Sequence, residues 1–144
     1  MEDVDQVAAT RLRAHGQRYT KNRRELMDLL AAAASPLTIP EILDRRPGLA
    51  QSSVYRNLML LEQSGLVQRI VTNDDWARFE LAEDLTGHHH HLICSNCGIV
   101  RDFTVPPHVE KSVATAFAAI ADETGFHLQH HRLDLVGVCP TCAA

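Results

Sequence analysis

His88-His89-His90-His91-Leu92-Ile93-Cys94-Ser95-Asn96-Cys97-Gly98 sets four consecutive histidines directly before a Cys-x-x-Cys knuckle. In extended chain, successive side chains point to opposite faces. With Phe79 to Leu81 and His88 to Ile93 extended, His88 and His90 face one way and His89 and His91 the other. One strand then serves two separate metal sites. The knuckle brings only two sulfurs, whereas a closed zinc site takes four donors, and Cys139-Pro140-Thr141-Cys142 brings the other two.

The knuckles are separated by 41 residues and bracket a small subdomain. A shell of Cys94, Cys97, Cys139 and Cys142 has no open position for chemistry, which makes its zinc structural. Cys-Pro-Thr-Cys alone resembles a redox dithiol, but that motif belongs at a helix start in a βαβ unit, and here it falls at the far end of the sequence. The histidine sites draw on carboxylates that flank the run. His89 and His91 can share a nitrogen and oxygen site with Glu80, in Arg78-Phe79-Glu80-Leu81, and Asp102, in Val100-Arg101-Asp102-Phe103. His88 and His90 can complete a second with Glu110 and His127, for which His130 and His131 are near enough to compete. An incidental surface cluster is the plainer reading of such a run.

At 144 residues and 45% apolar, the chain suits one ordinary domain or two small ones. A half-chain of about 60 residues buries little surface, so a structural metal or a dimer interface is the expected supplement for the half carrying the knuckles. The net charge of −4 hides an asymmetry. Residues 1–82 hold eleven Lys and Arg against eleven Asp and Glu, while residues 83–144 hold three against seven, with eight of the nine histidines. Arg11, Arg13, Arg18, Lys21, Arg23 and Arg24 fall in a window without acids, a local basic footprint or a solvated helix face. The acidic opening Met1 to Gln6 is no signal peptide and no apolar run is long enough to span a bilayer, so a cytoplasmic protein without membrane partners is expected, in which paired knuckles mean metal rather than disulfides.

In chain order, Val4, Val7, Ala8 and Leu12 mark a short helix ended by Gly16. Thr20 caps a second with Leu26, Leu29, Leu30 and Ala33 inward, stopped by Ser35-Pro36. Thr38 caps a third, with Pro40 in its first turn and Glu41 as capping-box partner, ending near Pro47-Gly48. Ser52 or Ser53 begins a fourth, with Val54, Leu58 and Leu61 inward and Gly65 closing it. Leu66 to Val71 and Ala77 to Leu81 form a hairpin about Asn73-Asp74-Asp75. Helices followed by a hairpin are the order of a winged helix-turn-helix. The helix from Ser53 would enter the major groove, its first turn, with Ser52 and Ser53, meeting phosphate and Tyr55 and Arg56 reaching base edges. Glu83 to Gly87 reads as a linker and Ile99 to Phe103 as a strand. Pro106-Pro107 opens a helix with Val109, Val113, Phe117 and Ile120 inward, closed by Gly125. His127 to Val138 reads as a long last strand delivering Cys139 to Cys94.

Arg18-Tyr19-Thr20-x-x-Arg23, Ser53-Val54-Tyr55-Arg56-Asn57-Leu58, Gly65-Leu66-Val67, Arg78-Phe79-Glu80-Leu81, the histidine run with its knuckle, His130-His131-Arg132-Leu133 and Gly137-Val138-Cys139-x-x-Cys142 together resemble the ferric uptake regulator (Fur) family. That resemblance implies an α+β fold: a winged-helix DNA-binding domain over residues 1–82, a hinge at 83–87, and an α/β metal-binding dimerisation domain over 88–144 with structural Zn2+. It implies a homodimeric, metal-dependent repressor on palindromic double-stranded operator DNA. Arg18 would lie along the minor groove, Tyr55 and Arg56 would touch bases, and Glu80, His89, His91 and Asp102 would form the sensor.

Departures from the family bear on the sensed metal. Iron-type and peroxide-sensing members take a further sensor histidine near the third helix, where Ser35-Pro36-Leu37 stands. Zinc-uptake members of the actinobacterial type carry a cysteine shortly before the histidine run and an acid in the first wing strand; here no cysteine precedes Cys94, and the strand has Gln68. Peroxide sensors favour Asp where Glu80 stands. Fe2+ is therefore preferred to Zn2+ as the regulatory metal, with Mn2+ compatible with the donors. Outside the family, a zinc hydrolase or deaminase would use the histidine cluster but lacks a His-Glu-x-x-His or His-x-Glu motif, and a metal-storage protein would leave the winged helix without a role.

Overall fold

The computed structural model describes residues 3–144; Met1 and Glu2, which open the acidic N-terminal stretch, lie outside the described residues. Helix α1 (Val4–Ala14) starts where Asp3 accepts from the Asp5 amide, and α2 (Lys21–Ala32) where Thr20 accepts from the Arg23 amide. Helix α3 (Ile39–Arg45) carries the full reciprocal capping box of Thr38 and Glu41. Helix α4 (Gln51–Gln63) begins earlier than the serines suggest. Ala50 is its cap and makes no side-chain bond, while the Val54 amide donates to the Ala50 carbonyl at 3.0 Å. Ser52 and Ser53 therefore lie inside the first turn rather than capping it.

Strands β1 (Val67–Val71) and β2 (Ala77–Leu81) pair antiparallel, Gln68 opposite Glu80. Leu37 bridges to Phe79 with backbone bonds of 2.8 and 2.9 Å, which ties the turn before α3 to the wing. Four helices and this hairpin enclose one apolar core that includes Leu12, Leu26, Met27, Ile42, Leu58, Leu61 and Phe79. This is the expected winged helix. Residues 83–87, expected as an irregular linker, contain instead a helical turn, α5 (Glu83–Thr86). Its two acids stand at the favourable end of the helix dipole, and Leu85 packs against the N-terminal core.

Beyond Gly87, β3 (His90–Cys94) lies between β4 (Val100–Phe103) and β5 (Asp134–Gly137), antiparallel to the first and parallel to the second. Helix α6 (Pro107–Thr124) crosses between β4 and β5 and ends at Gly125 in the left-handed conformation. The predicted long strand from His127 shrinks to four residues: the Leu133 carbonyl accepts from the His91 amide at 3.3 Å and the ladder with β3 begins at Asp134, while the residues before it run irregularly. Parallel pairing sets Cys94 opposite Gly137, so both chains leave the sheet at the same end and each runs straight into its knuckle. A final turn, α7 (Pro140–Ala143), holds Cys142.

The C-terminal half buries little of its own. On the expected inner face of α6, Val109, Val113 and Phe117 are only half-buried and Ile120 is exposed, as are Phe126, Leu135, Val136 and Val138. Among the described residues no helix is long and apolar enough to cross a membrane.

Candidate metal centres and nucleic-acid interface

The four cysteine sulfurs lie within 4.8 Å of one another, with Cys97 and Cys139 at 3.8 Å. A tetrahedron with Zn–S bonds of about 2.3 Å has edges of about 3.8 Å, so the cage fits zinc. Backbone amides of Cys97 and Cys139 donate to Cys94 Sγ at 3.4 and 3.3 Å and hold its thiol down to about 6, a thiolate prepared for a cation. Asn96 pulls Cys142 down, but the neighbouring thiols outweigh it and push Cys142 up to about 11. Four crowded sulfurs cannot all ionise without a metal to share the charge.

The histidines alternate as expected, although only His90 and His91 belong to β3, and the predicted strand starts two residues later because His88 and His89 lie in the irregular stretch between Gly87 and the sheet. Glu80, His89, His91 and Asp102 converge on one side; His88, His90, Glu110 and His131 converge on the other. His91 Nε2 stands 2.8 Å from Glu80 Oε1, and His89 Nε2 stands 3.1 Å from both Glu80 oxygens. Asp102 closes the ring at 3.5 Å from His91 and 3.8 Å from His89. Burial pushes the Glu80 carboxyl up, but hydrogen bonds from His91 and Gln68 outweigh it and leave Glu80 below its ordinary range. Asp102 is raised, by burial first and then by the charge of Glu80. Burial pulls His89 down, yet the Gly87 carbonyl and Glu80 together carry it above its usual value. Two carboxylates compressed beside two imidazoles are what a divalent cation relieves. The Gly87 carbonyl faces His89 Nδ1 at 3.1 Å, which reserves Nε2 for the metal. A cleft of about 420 Å³ opens onto this cluster, and Leu30, Ala31, Ala33 and Ser35 are the α2 side's contribution to its wall, with no imidazole among them.

In the second cluster the fourth member is His131, not the expected His127, which stays exposed with His130. The irregular path of 126–133 decides this, because it folds His131 back against α6. His88 Nε2, His131 Nε2 and His90 Nε2 lie 2.7, 2.7 and 2.8 Å from the Glu110 carboxylate. The hydrogen bond from His90, then those of His131 and His88, overcome burial and hold Glu110 down to about 2. His88 and His131 bring their Nε2 atoms to 3.1 Å, a pairing that one shared proton or one cation reconciles. Three imidazoles and one carboxylate suit tetrahedral zinc.

In the N-terminal half, Ser52, Tyr55 and Arg56 line a shallow groove with Ile39 and Gln51, and Tyr55 is 54% exposed. Arg18 is exposed nearby in sequence to α2. Sequence reasoning missed the support beneath them: Arg23 donates to the Arg18 carbonyl and to Asn57 Oδ1, and Asn57 donates to Ser53 Oγ at 3.4 Å. It also missed the amide of Gln68 on Glu80, whose only signal is the cross-strand register.

A winged helix joined to an interdomain cluster of imidazoles and carboxylates defines a metal-responsive transcription regulator. Residues 14–136 match the ferric uptake regulator family, and the chain belongs to it. It is 32% identical over 136 residues to the peroxide operon regulator of Bacillus subtilis, covering 92% of this chain and 88% of that one. It is 37% identical over 140 residues to a ferric uptake regulation protein of Campylobacter jejuni, covering 91% and 83%. The Helicobacter pylori ferric uptake regulator superposes with a TM-score of 0.76 at 23% identity, covering 99% of this chain and 95% of that chain, a likeness of fold. Members of this family are transcription regulators that bind metals and, as dimers, DNA. The hydrolase or deaminase alternative is therefore set aside.

Proposed function

We propose that this protein is a cytoplasmic, homodimeric repressor that binds palindromic operator DNA when a metal occupies Glu80, His89, His91 and Asp102. The observation that carries this reading is the convergence of a wing residue, Glu80, with three residues of the C-terminal half. A metal held by all four restricts the angle between the halves, and a ligand that binds one arrangement better shifts the population toward it. Zinc at Cys94, Cys97, Cys139 and Cys142 stabilises the C-terminal half, and the exposed Val136, Val138 and Ile120 supply apolar surface for a second copy. Arg18, Ser52, Ser53, Tyr55 and Arg56 face the DNA.

Iron is the preferred signal, since Glu80 and Asp102 match the iron-type pattern and no thiol is present at this cluster. Zinc is the second reading, favoured by the cleft wall: with Ser35 where a fifth donor would come from, four donors suit tetrahedral coordination. The test is anaerobic titration of the zinc-structured dimer with buffered Fe(II), Mn(II) and Zn(II) against a palindrome selected from random DNA. Activation by Fe(II) at its free cellular range supports iron; activation by Zn(II) alone overturns it.

A further inference from the structure

Helix α5 belongs physically to the DNA-binding half. Leu85 packs on the N-terminal core, the Ala82 amide donates to the Leu66 carbonyl at 2.9 Å, and Asp84 pairs with Arg11 of α1. Arg11 in turn donates to the Gly65 carbonyl at 2.7 Å, so the guanidinium clamps α5 to the end of α4. The chain then pivots at Gly87, whose φ of 94° few other residues adopt, and reaches His88 one residue later. Glu83, adjacent to the clamped Asp84, reaches back over that pivot to His88 Nδ1. The other nitrogen of the same ring lies 2.7 Å from Glu110 and 3.1 Å from His131.

We propose that Glu83 is a positioning residue for the cluster of His88, His90, Glu110 and His131, and that through it occupancy of this cluster is felt by the DNA-binding half. A carboxylate on Nδ1 fixes the tautomer that leaves the Nε2 lone pair free for a metal and makes it more basic. A metal on Nε2 makes Nδ1–H a stronger donor, which tightens its bond to Glu83 and braces α5 across Gly87. The cluster is otherwise confined to the C-terminal half, so this one carboxylate gives it an interdomain contact. The coupling is reciprocal, and any arrangement of the halves that seats Glu83 on His88 raises the cluster's metal affinity.

The inference rests on the reading of this chain as a metal-controlled DNA binder, but its test reads metal and hinge, not DNA. Full-length dimer with zinc in the cysteine site and Asp102→Ala to weaken the first cluster is titrated with Co(II) alone, followed by its visible absorption. Amide hydrogen exchange of residues 82–88 is measured with and without Co(II). Glu83→Gln should lower Co(II) affinity roughly 10- to 100-fold and abolish the metal-induced slowing of exchange even at saturation, and Glu83→Asp should recover part of both. Either unchanged Co(II) affinity or undiminished slowing in Glu83→Gln overturns the proposal. Failure of the DNA-binding reading would appear separately, as operator binding that ignores metal while these Co(II) effects persist.

Discussion

Glu80 Oε1 lies 2.8 Å from His91 Nε2, although the two residues sit on opposite sides of Gly87, one on the second wing strand and one on the central strand of the C-terminal sheet. Both side chains are almost wholly buried, at 6% and 5% exposure, so the contact is a built junction rather than a surface encounter. Its geometry and that of the wing, the knuckle and the α4 face lead to the following expectations.

Cys139→Ser should remove the structural zinc and, with it, the dimer. The free energy of such a site is folding free energy, and the C-terminal half has little apolar core to compensate: α6 and β5 contain no buried residue. Sedimentation velocity with zinc analysis decides it; a dimer that retains its zinc contradicts the structural role.

Gly98→Ala should destabilise the protein by more than the ~1–2 kcal/mol of a left-handed non-glycine residue. Gly98 has φ of +78°, and a Cβ there would fall 2.0 Å from the Asp74 carboxylate of the wing turn. The neighbouring Asn73 also donates to the Ser95 carbonyl, so the wing rests on the knuckle. Denaturant midpoints of Gly98→Ala, Asp74→Ala and the double variant should be non-additive, the second change relieving part of the first; simple additivity would deny the contact.

Acid should unmake part of this junction. Arg78, by its hydrogen bonds, holds the Asp74 carboxyl down to about 2, against an unfolded value of about 3.9. The folded-state pKa is depressed, so the stabilisation is present in full above about pH 4 and is lost as the pH falls toward about 2. The stability difference between the native protein and Asp74→Asn should therefore shrink across that window; a difference constant from pH 5 to 2 argues against the pair.

Arg56→Ala should cost roughly 1–3 kcal/mol in operator affinity and relax base preference, while Arg18→Ala should weaken all sequences alike and flatten the salt dependence. Arg23→Ala removes the donor shared by the Arg18 carbonyl and Asn57, and should reduce both effects' baseline without changing which base is preferred. Salt titrations of fluorescence anisotropy separate the three; an Arg56→Ala protein with unaltered base preference would assign recognition to another surface.

What sequence reveals here tracks how local each determinant is. Thr20, Thr38 and Glu41 act within one helical turn, so the first three helices are legible to within a residue or two. Alternation along His88–His91 is equally local, and the structure brings the expected Glu80, Asp102 and Glu110 to the two faces. The start of α4 is less legible, since Ser52 and Ser53 are good caps by type, yet the turn at Arg46–Leu49 commits the helix earlier, at Ala50. The parallel docking of β5, the choice of His131 over His127 and the seat of α5 all depend on partners tens of residues away. No spacing within 126–133 says which histidine will meet α6.

The most direct measurement is operator affinity of the zinc-structured dimer, with and without saturating Fe(II), for the native protein and Glu80→Ala. Removing Glu80 leaves the cysteine cage, the α4 face and the second cluster in place but disconnects the wing from His89, His91 and Asp102. The account predicts that Fe(II) strengthens DNA binding by the native dimer at least ~10-fold, a bias of about 1.4 kcal/mol, and that Glu80→Ala remains dimeric with its zinc yet gains nothing from Fe(II). A Glu80→Ala dimer that still tightens on its operator when Fe(II) is added would contradict it.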